Sequence, residues 1–580
     1  MQLWRWSWIL IVAACAMPPA KRVDAVDSPT SLQQCLPPGG FAAVEVVNLA
    51  EVLDRVRESD GYRQWLESPV YQGWSARPEG RQALAGMKYV EDAWGDNLWS
   101  FAKSIVGQRC AIGWYPPAGM QPADYVVLLE TAEPATVMRL REKLKPLVSA
   151  PGERVTPSDR TDGGWQLQHA DGYAIVFLDR WIVISNNLSL LEMTTSRCQR
   201  PDGPSLADES ARQRTIDNLG SDQVVVGWLD LEWLKQDRGV ARFTPAKSDQ
   251  PLLSLLWGGM IELAERAPSG GFALDAGTNE IQLTMSLSQP DTPLSESQTA
   301  YVPSPTSAGR IDLPSQLLRM DFDRDLSLWY AARRSLLTAE TVTACDRFET
   351  MFRALLQGKD FVTDVLPALG TQWTLVAAPQ SFAHLPNRPT PVLPAFALVG
   401  EFRDAERGAE LLKLLFETGI TLANLQAAAQ KKAVWNNSAE TYHDVTLMVA
   451  SRGTSAKPGT LSAEDNVMPV CAVVGDRFLI ATAPDLARTL IDALHSDSKA
   501  AAEIRAEHFA FESSPSLLAD LLQENRAAVL SELVKNGQWH WQGEREFDWL
   551  RDVARRIDPI TFKTSVDPDQ LRLQLSTRWR

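Results

Sequence analysis

GQRCAIGWYP (Gly107–Pro116), followed by ADYVVLLETAEPATVMRLREKL from Ala123, is answered by GTQWTLVAAP (Gly370–Pro379), followed by PAFALVGEFRDAERGAELLKLL from Pro394. Each stretch reads as two short strands rich in apolar and aromatic residues, then an amphipathic helix. In the first helix Val137, Leu140, Leu144 and Leu147 recur at helical spacing, and Leu411 and Leu415 match Leu140 and Leu144 at a constant offset of 271. The second half of the chain therefore repeats the first.

The correspondence extends outward. Asp179-Arg180-Trp181-Ile182-Val183-Ile184 is answered by Asp476-Arg477-Phe478-Leu479-Ile480-Ala481. Both halves end on a hairpin pattern, GFALDAGTNEIQLTMSLS from Gly271 and ITFKTSVDPDQLRLQLSTR from Ile560. The offsets, taken at Gly107 and Gly370, Asp179 and Asp476, and Phe272 and Phe562, are 263, 297 and 290, so the halves differ by loop insertions. Each half opens on a strand running into a helix, with Asn48 and Asp325 at the junction as expected caps, and Asn187 and Asp485 expected to cap the helix after each meander. Strands arrive in hairpins and meanders rather than singly between helices. The expected class is α+β: two homologous domains, each a mainly antiparallel sheet with helices on one face.

The expected organisation is an export signal at 1–25, a spacer at 26–40, a first repeat at 41–287, a Ser/Thr/Pro-rich linker at 288–309 and a second repeat at 310–580. At the N-terminus Arg5 precedes the apolar run Trp6–Ala14, which is too short to span a bilayer as a permanent anchor. Two readings of its end stay open. Val12-Ala13-Ala14-Cys15 resembles a lipobox, which would lipidate Cys15, and Val23-Asp24-Ala25 resembles an ordinary signal-peptidase site. Either places the body in the periplasm or cell envelope.

A net charge of −15 argues against nucleic acid as a partner, because counterion release from phosphate needs a basic surface. It argues equally against docking on anionic lipid, so membrane association is expected only through Cys15. Of the six cysteines, Cys15, Cys35, Cys110, Cys198, Cys345 and Cys471, no two form a C-x-x-C motif. An exported compartment permits one bridge, and spacing does not choose the pair.

Catalytic signatures are missing: the chain has no G-x-G-x-x-G, no P-loop, no H-E-x-x-H and no G-x-S-x-G. Asp321-Phe322-Asp323-Arg324-Asp325 begins like a calcium loop but lacks the Gly and Glu that should follow, so strand and cap roles are expected. Ser496-Asp497-Ser498-Lys499 fits S-x-x-K without its partner motifs, and the six histidines form no ligand cluster. No catalytic, cofactor or metal residue is assigned and no cofactor is expected. Tryptophan is used heavily, at 20 residues, and Trp539, Trp541 and Trp549 lie close together as a candidate surface for a ligand or partner.

VEVVNLAEVL from Val44 and GDRFLIATAPDLARTLIDAL from Gly475 give the chain a layout that resembles exported bacterial envelope proteins of unknown function built from a duplicated α+β unit. The resemblance implies envelope location and duplication, and carries over no residue roles. The expected function is a non-enzymatic envelope protein that binds or scaffolds a partner, an envelope protein or a glycan. An extracytoplasmic hydrolase of glycan or peptide and a carbohydrate- or solute-binding protein are the alternatives.

Overall fold

A computed structural model describes residues 31–579 apart from gaps, the longest at 118–122, 149–153, 239–246, 290–294, 296–299, 301–310, 453–460, 498–506 and 536–539. The chain divides into two compact units, 1–241 with 267–290 and 242–266 with 291–578.

Among the described residues the first unit carries strands β1 (Ala42–Val47), β2 (Arg109–Tyr115), β3 (Asp124–Glu130), β4 (Val155–Asp159), β5 (Trp165–His169), β6 (Ala174–Leu178), β7 (Trp181–Ser185), β8 (Val225–Asp230), β9 (Ser269–Ala276) and β10 (Glu280–Ser288). Every pairing is antiparallel, in the order β4-β5-β6-β7-β3-β2-β1-β8-β9-β10. Its helices are α1 (Asp60–Glu67), α2 (Pro69–Ser75), α3 (Pro78–Trp94), α4 (Leu98–Val106), α5 (Pro134–Val148), α6 (Leu188–Gln199), α7 (Ser210–Ile216) and α8 (Leu231–Arg238).

The second unit begins with α9 (Pro251–Arg266) and carries β11 (Leu318–Asp323), β12 (Leu369–Ala378), β13 (Ala395–Phe402), β14 (Trp435–Tyr442), β15 (Val445–Arg452), β16 (Val470–Val474), β17 (Arg477–Ala481), β18 (Glu507–Ser513), β19 (Ile557–Asp567) and β20 (Gln570–Trp579). Their order is β14-β15-β16-β17-β13-β12-β11-β18-β19-β20, again antiparallel throughout. Strand for strand, this is the order of the first unit. The remaining helices are α10 (Leu326–Ala331), α11 (Arg333–Leu336), α12 (Ala339–Leu355), α13 (Ala405–Ala429), α14 (Pro484–Asp497), α15 (Pro515–Glu524), α16 (Arg526–Lys535) and α17 (His540–Arg556).

The α+β class holds, and the packing goes beyond helices on one face. Strands such as AFALVGEF carry apolar residues at consecutive positions, so both of their sides need cover. Ala397 and Val399 of β13 pack with Leu486, Leu490 and Ile491 of α14 on one side. Leu398 and Phe402 pack with Leu412 and Phe416 of α13 on the other. The first unit repeats this, with α6 over Val126, Leu128 and Val183 and α5 over Leu129 and Ile182.

Helix α9 precedes the Ser/Thr/Pro-rich stretch yet belongs to the second unit, where a single cut at that stretch was expected. Its contacts give the reason. Trp257 sits 4.5 Å from the Phe509 ring and 5.6 Å from Phe562. Arg324, wholly buried, donates to the carbonyls of Leu255 and Leu256, as well as to those of Asp323 and His508. These carbonyl dipoles offset the desolvation of its charge.

Two of the four expected caps hold. Asn187 accepts from the amides of Ser189 and Leu190, and Asp325 accepts from that of Leu328. Asn48 instead takes φ 55, the left-handed conformation that Asn tolerates. Asp485 falls one residue inside its helix, because Pro484 occupies the first helical position.

Candidate functional site

Among the described residues of the second unit, β14 pairs with β15 on one side and leaves its outer edge open. The strand is built from its turn. Tyr442 pairs with Val445, and the two residues between them, His443 and Asp444, take φ 47 and 64. Two left-handed residues make a type I′ turn, whose twist matches that of the strands it joins. Such a turn makes Tyr442 and Val445 a hydrogen-bonded pair, and pairs then alternate along the ladder. Asn436, Ser438, Glu440 and Tyr442 accordingly turn their N–H and C=O groups toward β15. Trp435, Asn437, Ala439 and Thr441 turn theirs outward.

The side chain of Asn424, on α13, takes up the outward groups of Trp435. The Trp435 amide donates to Asn424 Oδ1 at 2.6 Å, and Asn424 Nδ2 donates to the Trp435 carbonyl at 2.9 Å. That leaves the backbone groups of Asn437, Ala439 and Thr441 along the edge: three donors and three acceptors. Asn436 through Thr441 are all exposed.

Side chains hold the strand from both sides. On the α14 side, Tyr442 Oη donates to Asp492 at 3.0 Å, which raises the Tyr442 pKa. Arg488 donates to Glu440 at 2.7 Å and to Asp485 at 3.0 Å. At the start of the strand, Arg452 lies 4.2 Å over the Trp435 ring and donates to Glu464 at 2.8 Å. Lys432 also binds Glu464, and the two cations hold its carboxyl below the ordinary glutamate range. The edge is thus fixed in an extended conformation, so a partner strand would not have to order it.

The counterpart edge in the first unit differs. Strand β4 is five residues long, and Pro157, at an outward-facing position, has no N–H to offer. Proline on an edge strand is a common way of blocking further pairing. β14 has eight residues and no proline.

Sequence reasoning did not find this edge. WNNSAETY is polar on both faces and carries no alternation. The available signals were Trp435, Thr441 and Tyr442, which favour strands, and the turn at His443-Asp444. None of the residues that were singled out supplies an outward backbone group of this edge. Cys15 and Trp539 are outside the described residues. Trp541 and Trp549 are on α17, with Trp549 half-buried. In the calcium-like run, Asp321 is buried, accepts from Thr374 at 2.7 Å and pairs with Arg319 at 2.9 Å. Asp325 caps α10 and pairs with Arg403 at 2.8 Å. Ser496 donates to the Asp492 carbonyl within its helix. His443 occupies the β14–β15 turn, and His169 stacks on Tyr173 at 4.5 Å. Among the described residues no group of three or more His, Cys, Asp or Glu could hold a metal ion, and no helix is long and apolar enough to cross a membrane.

No protein-family description and no curated protein matches the chain. Solved structures that resemble it include crystal forms IV, III and I of TP0453. Their identities are 10%, 11% and 10%, covering 45%, 46% and 46% of this chain and 81%, 83% and 82% of theirs, each with a TM-score of 0.24. A score that low assigns neither fold nor function.

Proposed function

We propose that this chain is a non-enzymatic cell-envelope protein, made of two copies of one ten-strand unit, that binds or scaffolds a partner protein by accepting an extended segment along β14. The observation that carries this reading is the row of outward backbone groups at Asn437, Ala439 and Thr441. Recognition by strand addition draws affinity from main-chain hydrogen bonds and needs little from side chains, which suits a polar edge. The matching strand orders and the sequence correspondences support duplication. The contrast between β4 and β14 supports divergence, with the binding edge kept in the second copy. Arg5 and the apolar run to Ala14 support export, with Cys15 as the anchoring residue if the lipobox is processed.

A photoreactive side chain at Asn437, activated in native cells, tests the reading. The expected result is a protein adduct in the envelope fraction that disappears when Ala439→Pro is added. That substitution removes an outward donor and leaves the β14–β15 ladder intact. Absence of an adduct, or one that Ala439→Pro leaves unchanged, would overturn the reading.

A further inference from the structure

The edge that β14 offers is unevenly charged along its length. Toward the turn, Glu440 shares Arg488 with Asp485, at 2.7 Å and 3.0 Å. Asp492 accepts from Tyr442 Oη at 3.0 Å and lies 3.5 Å from His443 Nε2, which is a cation only when protonated. Asp444 stands exposed in the turn itself. Among the described residues, the ion pairs of these four carboxylates involve one permanent cation, Arg488. At the Trp435 end the balance is reversed, since Lys432 and Arg452 share Glu464.

The pleat decides which side chains of an added strand meet these charges. Ser438 and Glu440 lie across from Val449 and Leu447, which belong to the core under α14. Ala439 lies across from Met448, which packs on the α13 side. Even-numbered residues of β14 therefore point to the α14 side and odd-numbered ones to the α13 side. The helix and the strand also keep step. Asp492 meets Tyr442 and Arg488 meets Glu440. Four residues of helix advance about 6 Å and two of strand about 7 Å, so Asp485 follows near the level of Ser438.

On an added strand, the residues directly across from Ser438 and Glu440 stand on the α14 side, two positions apart, beside the carboxylates. The residue between them meets Ala439, and its α13-side neighbours meet Asn437 and Thr441, none of which is charged. Opposite charges across a strand pair are favourable and like charges are not, so an acidic segment would be repelled from this end of the edge.

We propose, as an extension that rests on strand addition along β14, that the accepted segment is basic. It is an extended stretch of a protein partner with Lys or Arg at alternate positions, those across from Ser438 and Glu440, turned toward α14. Main-chain hydrogen bonds to Asn437, Ala439 and Thr441 hold the segment, and the alternate cations select it.

Cross-linking in native cells from a photoreactive side chain at Asn437, repeated with Glu440→Gln and Asp492→Asn combined, tests the proposal. These substitutions remove two charges and keep the oxygen acceptors that Arg488 and Tyr442 use. The adduct yield is expected to fall about fivefold, the loss of two exposed charge pairs. In the adduct formed without them, the attached peptide should carry Lys or Arg at alternate positions by mass spectrometry. Fast amide exchange at Asn437, Ala439 and Thr441 in the purified double variant checks that its edge is intact. An adduct that Ala439→Pro abolishes but the double substitution leaves at full yield, or an attached peptide without alternating cations, overturns the basic segment and leaves strand addition standing. No adduct, or one that Ala439→Pro leaves unchanged, overturns strand addition and the basic segment with it.

Discussion

Asn424 decides where the edge of β14 starts. Its amide satisfies both outward backbone groups of Trp435 and so closes one end of the edge. Two hydrogen bonds of this kind are worth about 1–2 kcal/mol together. Asn424→Ala should therefore lower stability by about that amount. It should also speed amide exchange at Trp435, measured by denaturant titration and hydrogen exchange, while Ser438 and Glu440 keep their protection. Residue roles were legible in part. Asn187 and Asp325 were recognised as caps because a short oxygen-bearing side chain before an apolar run is a strong helix-start signal. Asn48 has the same chemistry but a left-handed backbone, and residue type alone does not separate the two.

At the scale of the element, burial makes the pattern. The strands at 109–115, 124–130, 369–378 and 395–402 were readable because their neighbours force apolar residues into them. β4 and β14 lie at sheet edges with polar faces, and periodicity has nothing to report there. Close contacts between elements are equally hard to read in advance. Phe402 and Phe478 stack with centroids 4.6 Å apart. Gly400 makes room for them, since a Cβ there would meet the Phe478 ring at 2.4 Å and Trp373 at 3.0 Å. Gly408 does the same on α13, where a Cβ would come within 2.3 Å of the Phe402 ring. Gly400→Ala should overpack this cluster and cost about 1–3 kcal/mol, read as a lower denaturant midpoint for the second unit. A stability equal to that of the unsubstituted chain would mean the rings can shift without penalty.

For the whole molecule, the two units share one strand order, and GQRCAIGWYP and GTQWTLVAAP supply the corresponding strands β2 and β12 in it. The recurrence of similar apolar runs was the strongest signal in the sequence, and under the proposed duplication corresponding cores keep corresponding apolar runs even where loops change length. The interleaving of α9 into the second unit was not visible, since its Trp257 and Leu255 read as core residues of any partner. The candidate site was the least visible feature. It consists of backbone groups left over when pairing stops, and every residue type except proline presents the same ones. Residue-resolved hydrogen exchange on the full-length chain, alone and with envelope extract from native cells, tests the central claim most directly. The account predicts fast exchange at Asn437, Ala439 and Thr441 and slow exchange at Asn436, Ser438 and Glu440 in the chain alone, with the first three amides becoming protected once extract is added. Uniform protection of all six in the chain alone, or no change at the outward three with extract, would contradict it.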